Sequence, residues 1–188
     1  VTTDAPTEDP RPADRHRAPS VVVLNTGDGK GKSSAAFGVM LRGVARGWPV
    51  AVVQFVKSGA WKTGEEKLGR EHGVHWLNVG QGFTWDSNDL EHDKALARDG
   101  WRQAAALLAG GEYRLVILDE LTYLCTWGWI DTAEVAAAIR DRPEQVNVVI
   151  TGRDAPQELI DVADTVTEMR KVKHAYDAGI DAMKGIEY

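Results

Sequence analysis

Val21-Val22-Val23-Leu24-Asn25-Thr26-Gly27-Asp28-Gly29-Lys30-Gly31-Lys32-Ser33-Ser34-Ala35-Ala36-Phe37-Gly38 reads as a buried strand, a glycine-rich loop and the opening of a helix, and that order decides the fold. Glycines let successive backbone N–H groups turn toward one concavity. The helix N-terminus adds a positive end, Lys32 supplies a point charge, and the Ser33 hydroxyl can hold Mg²⁺. Glycines that merely make a turn do not account for strand, loop, Gly-Lys-Ser and helix together. The general pattern G-x-x-x-x-G-K-[ST] would place a glycine at position 26, where this chain has Thr26, so the loop is a variant. Lys32 is expected to serve a triphosphate and to have no buried partner in the ligand-free chain.

Outward from the loop, short apolar runs alternate with stretches of helical period. Val50-Ala51-Val52-Val53, Leu115-Val116-Ile117-Leu118 and Val146-Asn147-Val148-Val149-Ile150 join Val21–Leu24 as strands buried on two faces. Phe37, Met40, Leu41 and Val44 fall at i, i+3, i+4 and i+7, and Trp101, Ala104, Ala105 and Leu108 repeat the spacing, so each marks a covering helix. Gly47, with Pro49 just beyond, ends the first of these helices. The expected architecture is α/β: a P-loop, RecA-like, mostly parallel sheet with helices on both faces and ligands at the carboxyl ends of its strands.

The chain has 188 residues, 43% of them hydrophobic, enough for one substantial core and too few for two ordinary domains. Residues 1–19, with Pro6, Pro10, Pro12 and Pro19 among polar residues, are expected to form a flexible tail, and residues 20–188 a single nucleotide-binding catalytic domain. A formal net charge of −6 argues against nucleic acid as a partner. No apolar run approaches the roughly 18 residues that span a bilayer, and no secretory leader is visible, so no membrane partner and a cytoplasmic location are expected. Cys125, the single cysteine, reads as a small buried hydrophobe.

The run Leu115–Leu118 leads into Asp119-Glu120. Carboxylates at a strand's carboxyl end can reach Mg²⁺ directly or through water, and beside a P-loop that reading outweighs an acidic helix start. His72 and His75 are spaced for one helical face, and with no third ligand at a recognisable metal spacing they read as structural. Trp127 and Trp129, flanking Gly128, read as packing or subunit-contact residues.

The stretch Thr26–Gly38 is similar to the P-loop signature of the ATP:corrinoid adenosyltransferases. Further stretches agree in the family's order: Gln54–Lys57, Gly82–Trp85, Leu118–Tyr123, Ile150–Arg153 and Val172–Gly179. The resemblance implies that the Co(I) of a corrinoid, in cobalamin biosynthesis or salvage, attacks the 5′-carbon of ATP and triphosphate leaves. It also implies that the nucleotide lies reversed in its loop relative to ordinary NTPases.

Carried over by position, Gly27, Asp28, Gly29, Lys30, Gly31, Lys32, Ser33 and Ser34 hold the triphosphate. Ser33, Asp119 and Glu120 serve Mg²⁺ or Mn²⁺, with Glu120 reaching the ribose or the metal. Arg153 senses phosphate or pairs in a turn with Asp154, and Arg42 contacts the nucleotide or is a solvated surface arginine. Phe83 and Trp85 displace the lower axial ligand of the corrinoid, which eases reduction of Co(II). With Lys32 and Glu120 they make up the expected catalytic set. The resemblance further implies ATP and corrinoid as ligands, a reductase or reduced flavoprotein as electron donor, and a homodimer. Family members can carry an N-terminal helix over the active site, which four prolines argue against here. The alternatives are an ordinary P-loop ATPase or kinase, for which Asp119-Glu120 would orient water, and a nucleotide-regulated binding protein with negligible turnover.

Overall fold

The computed structural model describes residues 11–56, 63–80 and 90–187. Six strands form one sheet in the order β3-β2-β4-β5-β1-β6, with β1 Val22–Thr26, β2 Val50–Gln54, β3 His75–Asn78, β4 Leu115–Asp119, β5 Asn147–Thr151 and β6 Thr165–Glu168. Every neighbouring pair is parallel, so all six carboxyl ends lie along one edge of the sheet. The expected α/β architecture is what the chain adopts. Residues 11–19 are exposed and form neither helix nor strand.

Among the described residues six helices connect the strands: α1 Lys32–Ala45, α2 Gly64–Glu71, α3 Leu90–Gly110, α4 Leu121–Thr126, α5 Thr132–Arg140 and α6 Gln157–Val162. Successive strand residues serve opposite faces. Leu115, Ile117 and Val149 join Ala36, Phe37 and Met40 of α1 in one core cluster. Val116, Leu118, Val148 and Ile150 join Trp101, Ala104 and Leu108 of α3, Val135 and Ile139 of α5, and Leu159 of α6 in the other. Burial on two faces is why the central strands read as continuous apolar runs.

Helix α1 ends as its sequence directs. Gly47 adopts φ +68°, Gly47 N–H donates to Val44 O, and Trp48 N–H donates to Gly43 O, the paired bonds of a Schellman stop. One sequence expectation is corrected here. His72 and His75 do not share a helical face: His72 caps the end of α2, Gly73 turns at φ +79°, and His75 opens β3.

Candidate functional site

Parallel registration brings a row of polar residues to the edge of the sheet where its strands end. Asn78 pairs with Gln54, Gln54 with Asp119, and Asn25 with Thr151, each the last or next-to-last residue of an apolar strand. Asp119 is fully buried within this row. Its Oδ2 accepts from Gln54 Nε2 at 2.8 Å and its Oδ1 from the Thr151 hydroxyl at 2.7 Å. Gln54 Oε1 in turn accepts from Trp76 Nε1, and Thr151 Oγ1 accepts from the backbone N–H of Glu120. A buried carboxylate is tolerated when hydrogen bonds of this kind satisfy it, and the network fixes the end of β4 in place.

Above this floor the loop from Gly27 to Gly31 joins β1 to α1. Gly27 and Gly31 have φ of +91° and +116°, and Gly31 is the N-cap of α1 with no side-chain cap on the first turn. By contrast, Thr63 caps α2 and Asp131 caps α5 through side-chain oxygens. The uncapped turn, free of acidic residues, leaves N–H groups and the positive helix end to an anion.

Lys32 lies in this turn, half-buried, and its Nζ donates to Gly27 O at 2.6 Å and Gly29 O at 2.7 Å. The expectation of a lysine without a partner is therefore corrected: the loop's own carbonyls hold the ammonium. Its pKa is lowered, chiefly by burial and next by the positive charge of Arg153, while Asp28, Glu120 and Asp154 act in the opposite direction. These residues thus share one electrostatic site, assembled from the ends of β1, β4 and β5. Tyr123 belongs to it as well. Burial raises its phenol pKa, with Arg153, Glu120, Asp154 and Asp28 as charged neighbours.

Glu120 and Asp154 are the two non-glycine residues with positive φ among the described residues, at +62° and +50°; Glu120 directly follows β4, and Asp154 stands three residues past the end of β5. Such left-handed positions are costly, and they concentrate where function holds them. Between them, Gly152 at φ +143° lets the chain pass Thr122, whose hydroxyl donates to Arg153 O at 2.6 Å.

Ser33 and Ser34 open α1 beside Lys32. Arg42 is not brought to the loop. It stands in the last turn of α1, ten residues beyond Lys32 and therefore about 15 Å away along the helix axis. There it lines a cavity of about 540 Å³ with Val39, Arg46 and Trp48. The solvated alternative describes it better than a nucleotide contact made within the same chain. Phe83 and Trp85 lie outside the described residues. Cys125 is buried, and burial pushes its thiol up to about 11, as expected of a structural cysteine. Trp127 stacks on Tyr123 at 5.3 Å, and the ring of buried Trp129 lies 5.0 Å from that of Trp127.

Gln54, Thr151 and Tyr123 lie in stretches that match the family but carried no site role in the sequence reading, and Trp76 was not singled out at all. The signal that could have found the first two is the polar residue ending each of the strands VAVVQ and NVVIT.

Among the described residues no cluster of three His, Cys, Asp or Glu could hold a metal ion. Mg²⁺ bound mainly by phosphate oxygens needs only one or two protein ligands, and Ser33 with Glu120 fits that demand. No helix among the described residues is long and apolar enough to cross a membrane.

A strand, an uncapped glycine loop with its lysine, a carboxylate strand end and a cation on a neighbouring strand end define a P-loop nucleotide-binding protein. The model of the ATP:corrinoid adenosyltransferase family BtuR/CobO/CobP matches residues 19–188, and the chain belongs to this family. It is 43% identical to the corrinoid adenosyltransferase of Escherichia coli K12 over 96% of this chain and 91% of that protein. It is 42% identical to the corrinoid adenosyltransferase CobA of Salmonella typhimurium LT2 over the same shares. It is 46% identical to the corrinoid adenosyltransferase of Pseudomonas aeruginosa over 89% of this chain and 83% of that one.

Proposed function

We propose that the chain binds ATP across the ends of β1, β4 and β5 and transfers its 5′-deoxyadenosyl group to the Co(I) of a corrinoid. The observation that carries this reading is Lys32, held by the carbonyls of Gly27 and Gly29 at an uncapped helix N-terminus, with the charge of Arg153 beside it. Two like charges held together in partial burial are stabilised when a polyanion lies between them. In the transfer, the electron pair on Co(I) forms the bond to C5′, the C5′–O bond breaks, and its pair leaves with triphosphate.

The loop Gly27 to Ser33 binds the triphosphate through backbone N–H groups other than that of Gly29, which donates to Met169 O, and Lys30, Lys32 and Arg153 offset its charge as it departs. Glu120, fixed in its left-handed conformation through Thr151, orients the ribose so that C5′ faces the corrinoid. Asp119 acts from beneath, by fixing that strand end. Ser33 and Glu120 hold Mg²⁺ or Mn²⁺, which when bound adds charge neutralisation on the triphosphate. Phe83 and Trp85 are assigned to the lower face of the corrinoid by the family resemblance.

We further assign a reductase or reduced flavoprotein as electron donor, a cytoplasmic setting and a homodimer. The homodimer has support in Val172, Tyr176, Ile180, Met183 and Ile186, whose apolar side chains are open to water and suited to cover by a second copy.

The test is product identity. Incubated with Mg-ATP and chemically generated cob(I)alamin, the protein should yield a photolabile cobalt–carbon bond and one triphosphate per bond formed. ADP and phosphate in their place would assign it to the ATPases.

A further inference from the structure

The segment that follows β6 lies across the phosphate loop. Met169 N–H donates to Thr26 O, and Gly29 N–H donates to Met169 O. A Cβ on either Gly27 or Gly29 would stand 2.6 Å from Met169 O, so this backbone-on-backbone approach admits only glycine. Farther along, a turn in which Ile186 and Glu187 N–H both donate to Met183 O returns the chain to the loop. There the Glu187 carboxylate forms an ion pair with Lys30 Nζ. The Glu187 side chain is 18% exposed and that of Lys30 50%, so the lysine is open to a competing anion while the carboxylate is held in place.

We propose that Glu187 is a built-in competitor for triphosphate: its carboxylate occupies Lys30 in the ligand-free chain, yields it to phosphate oxygens when ATP binds, and reclaims it as triphosphate leaves. This rests on the reading of the loop as the triphosphate site. Carboxylate and phosphate oxygens are interchangeable partners for an ammonium, which is a compact point charge without the bidentate preference of arginine. The multiply charged triphosphate prevails while bound, and the tethered carboxylate returns without a diffusional step. Glu187 touches no reacting atom and is a positioning residue. Its effect is to weaken ATP and triphosphate alike, and to hasten release of a product that would otherwise remain on its cations.

The experiment is calorimetric titration of the full chain with inorganic triphosphate and with Mg-ATP, for the wild type, Glu187→Gln, Lys30→Ala and the double variant. Stopped-flow measurement of triphosphate dissociation accompanies it. Glu187→Gln should tighten both ligands by about twofold to fivefold, the range open to an ion pair of this exposure, and slow dissociation in proportion. Lys30→Ala should loosen both ligands, and Glu187→Gln should then have no further effect. Unchanged or weaker binding in Glu187→Gln would overturn the proposal. So would a tightening that persists without Lys30, because the carboxylate would then act by general repulsion. Failure of the wild type to bind either ligand would overturn the triphosphate site itself and the competitor with it. Binding by the wild type that Glu187→Gln leaves unaltered would overturn the competitor alone.

Discussion

Lys32 reaches back over its own loop to two carbonyls and lies in the field of Arg153, and both conditions bear on how ATP binds. Its pKa in the free protein is lowered from the ordinary 10.5, and a bound triphosphate, being anionic, raises it again. Binding therefore takes up protons in the window between the pKa of the free protein and the higher pKa of the complex. ATP affinity should be constant at lower pH and fall as pH rises through that window, which calorimetry in buffers of different ionisation enthalpy will show. The folding equilibrium has the opposite dependence. The unfolded chain holds more protons than the folded chain between the lowered value and the ordinary 10.5, so Lys32 makes the ligand-free protein more stable as pH rises there. Lys32→Ala should remove about 2 kcal/mol or more of ATP binding, as expected for charge-assisted bonds to phosphate, and should abolish its share of the proton uptake. A folded variant with unchanged affinity would refute the site. Lys32 and the loop were legible in the sequence because their chemistry is contiguous. The bonds of Gln54 and Thr151 to Asp119 were not, because they arise from strand register, which joins residues far apart in the chain.

At the scale of elements, β1, β2, β4 and β5 could be read because each is apolar on both faces. The edge strands β3 and β6 could not. HWLN is too short to show a period, and TVTE is exposed throughout and has no buried face to write into the sequence. Helix α2 lacks an apolar stripe, yet Thr63 followed by Glu66 carries the start signal of a capping box, and Thr63 Oγ1 accepts from Glu66 N–H. The close packing of elements gives a paired prediction. A Cβ at Gly100 of α3 would lie 2.1 Å from Val79 Cγ1, and one at Gly152 would lie 2.0 Å from Thr122 Oγ1 at a φ of +143°. Each Gly→Ala change should cost about 1–3 kcal/mol in chemical denaturation through overpacking or strain. Their effects on function should differ. Gly152→Ala shifts Thr122 and Arg153 and should weaken ATP binding, whereas Gly100→Ala, on the helix that covers the sheet, should leave ATP affinity close to wild type.

The whole molecule must bring ATP and a large corrinoid to one edge of a parallel sheet and let only one bond of ATP react. If Phe83 and Trp85 act on the lower face of the corrinoid, replacing either with alanine should slow turnover from Co(II) and spare turnover from chemically made Co(I). Electron paramagnetic resonance of the bound Co(II) should then lose its four-coordinate signal. A stricter consequence concerns water. A P-loop and the Asp119-Glu120 pair resemble hydrolytic machinery, yet ATP should be hydrolysed negligibly when corrinoid is absent. Attack at γ-phosphorus needs a water in line with the β–γ bridge and a carboxylate within hydrogen-bond reach of it. Asp119 is buried, with its oxygens engaged by Gln54 and Thr151, and is poorly placed for that task. If the nucleotide is reversed, as the family resemblance implies, the terminal phosphate would lie deep in Gly27–Ser33 and Glu120 would meet ribose. Incubation with Mg-ATP, with and without cob(I)alamin, followed by phosphorus-31 spectroscopy, decides the matter. Triphosphate should form only with corrinoid, and Glu120→Gln should slow that reaction without creating an ATPase. Release of ADP and phosphate in the absence of corrinoid, slowed by Glu120→Gln, would mean that Glu120 faces water and that the nucleotide lies in the ordinary direction.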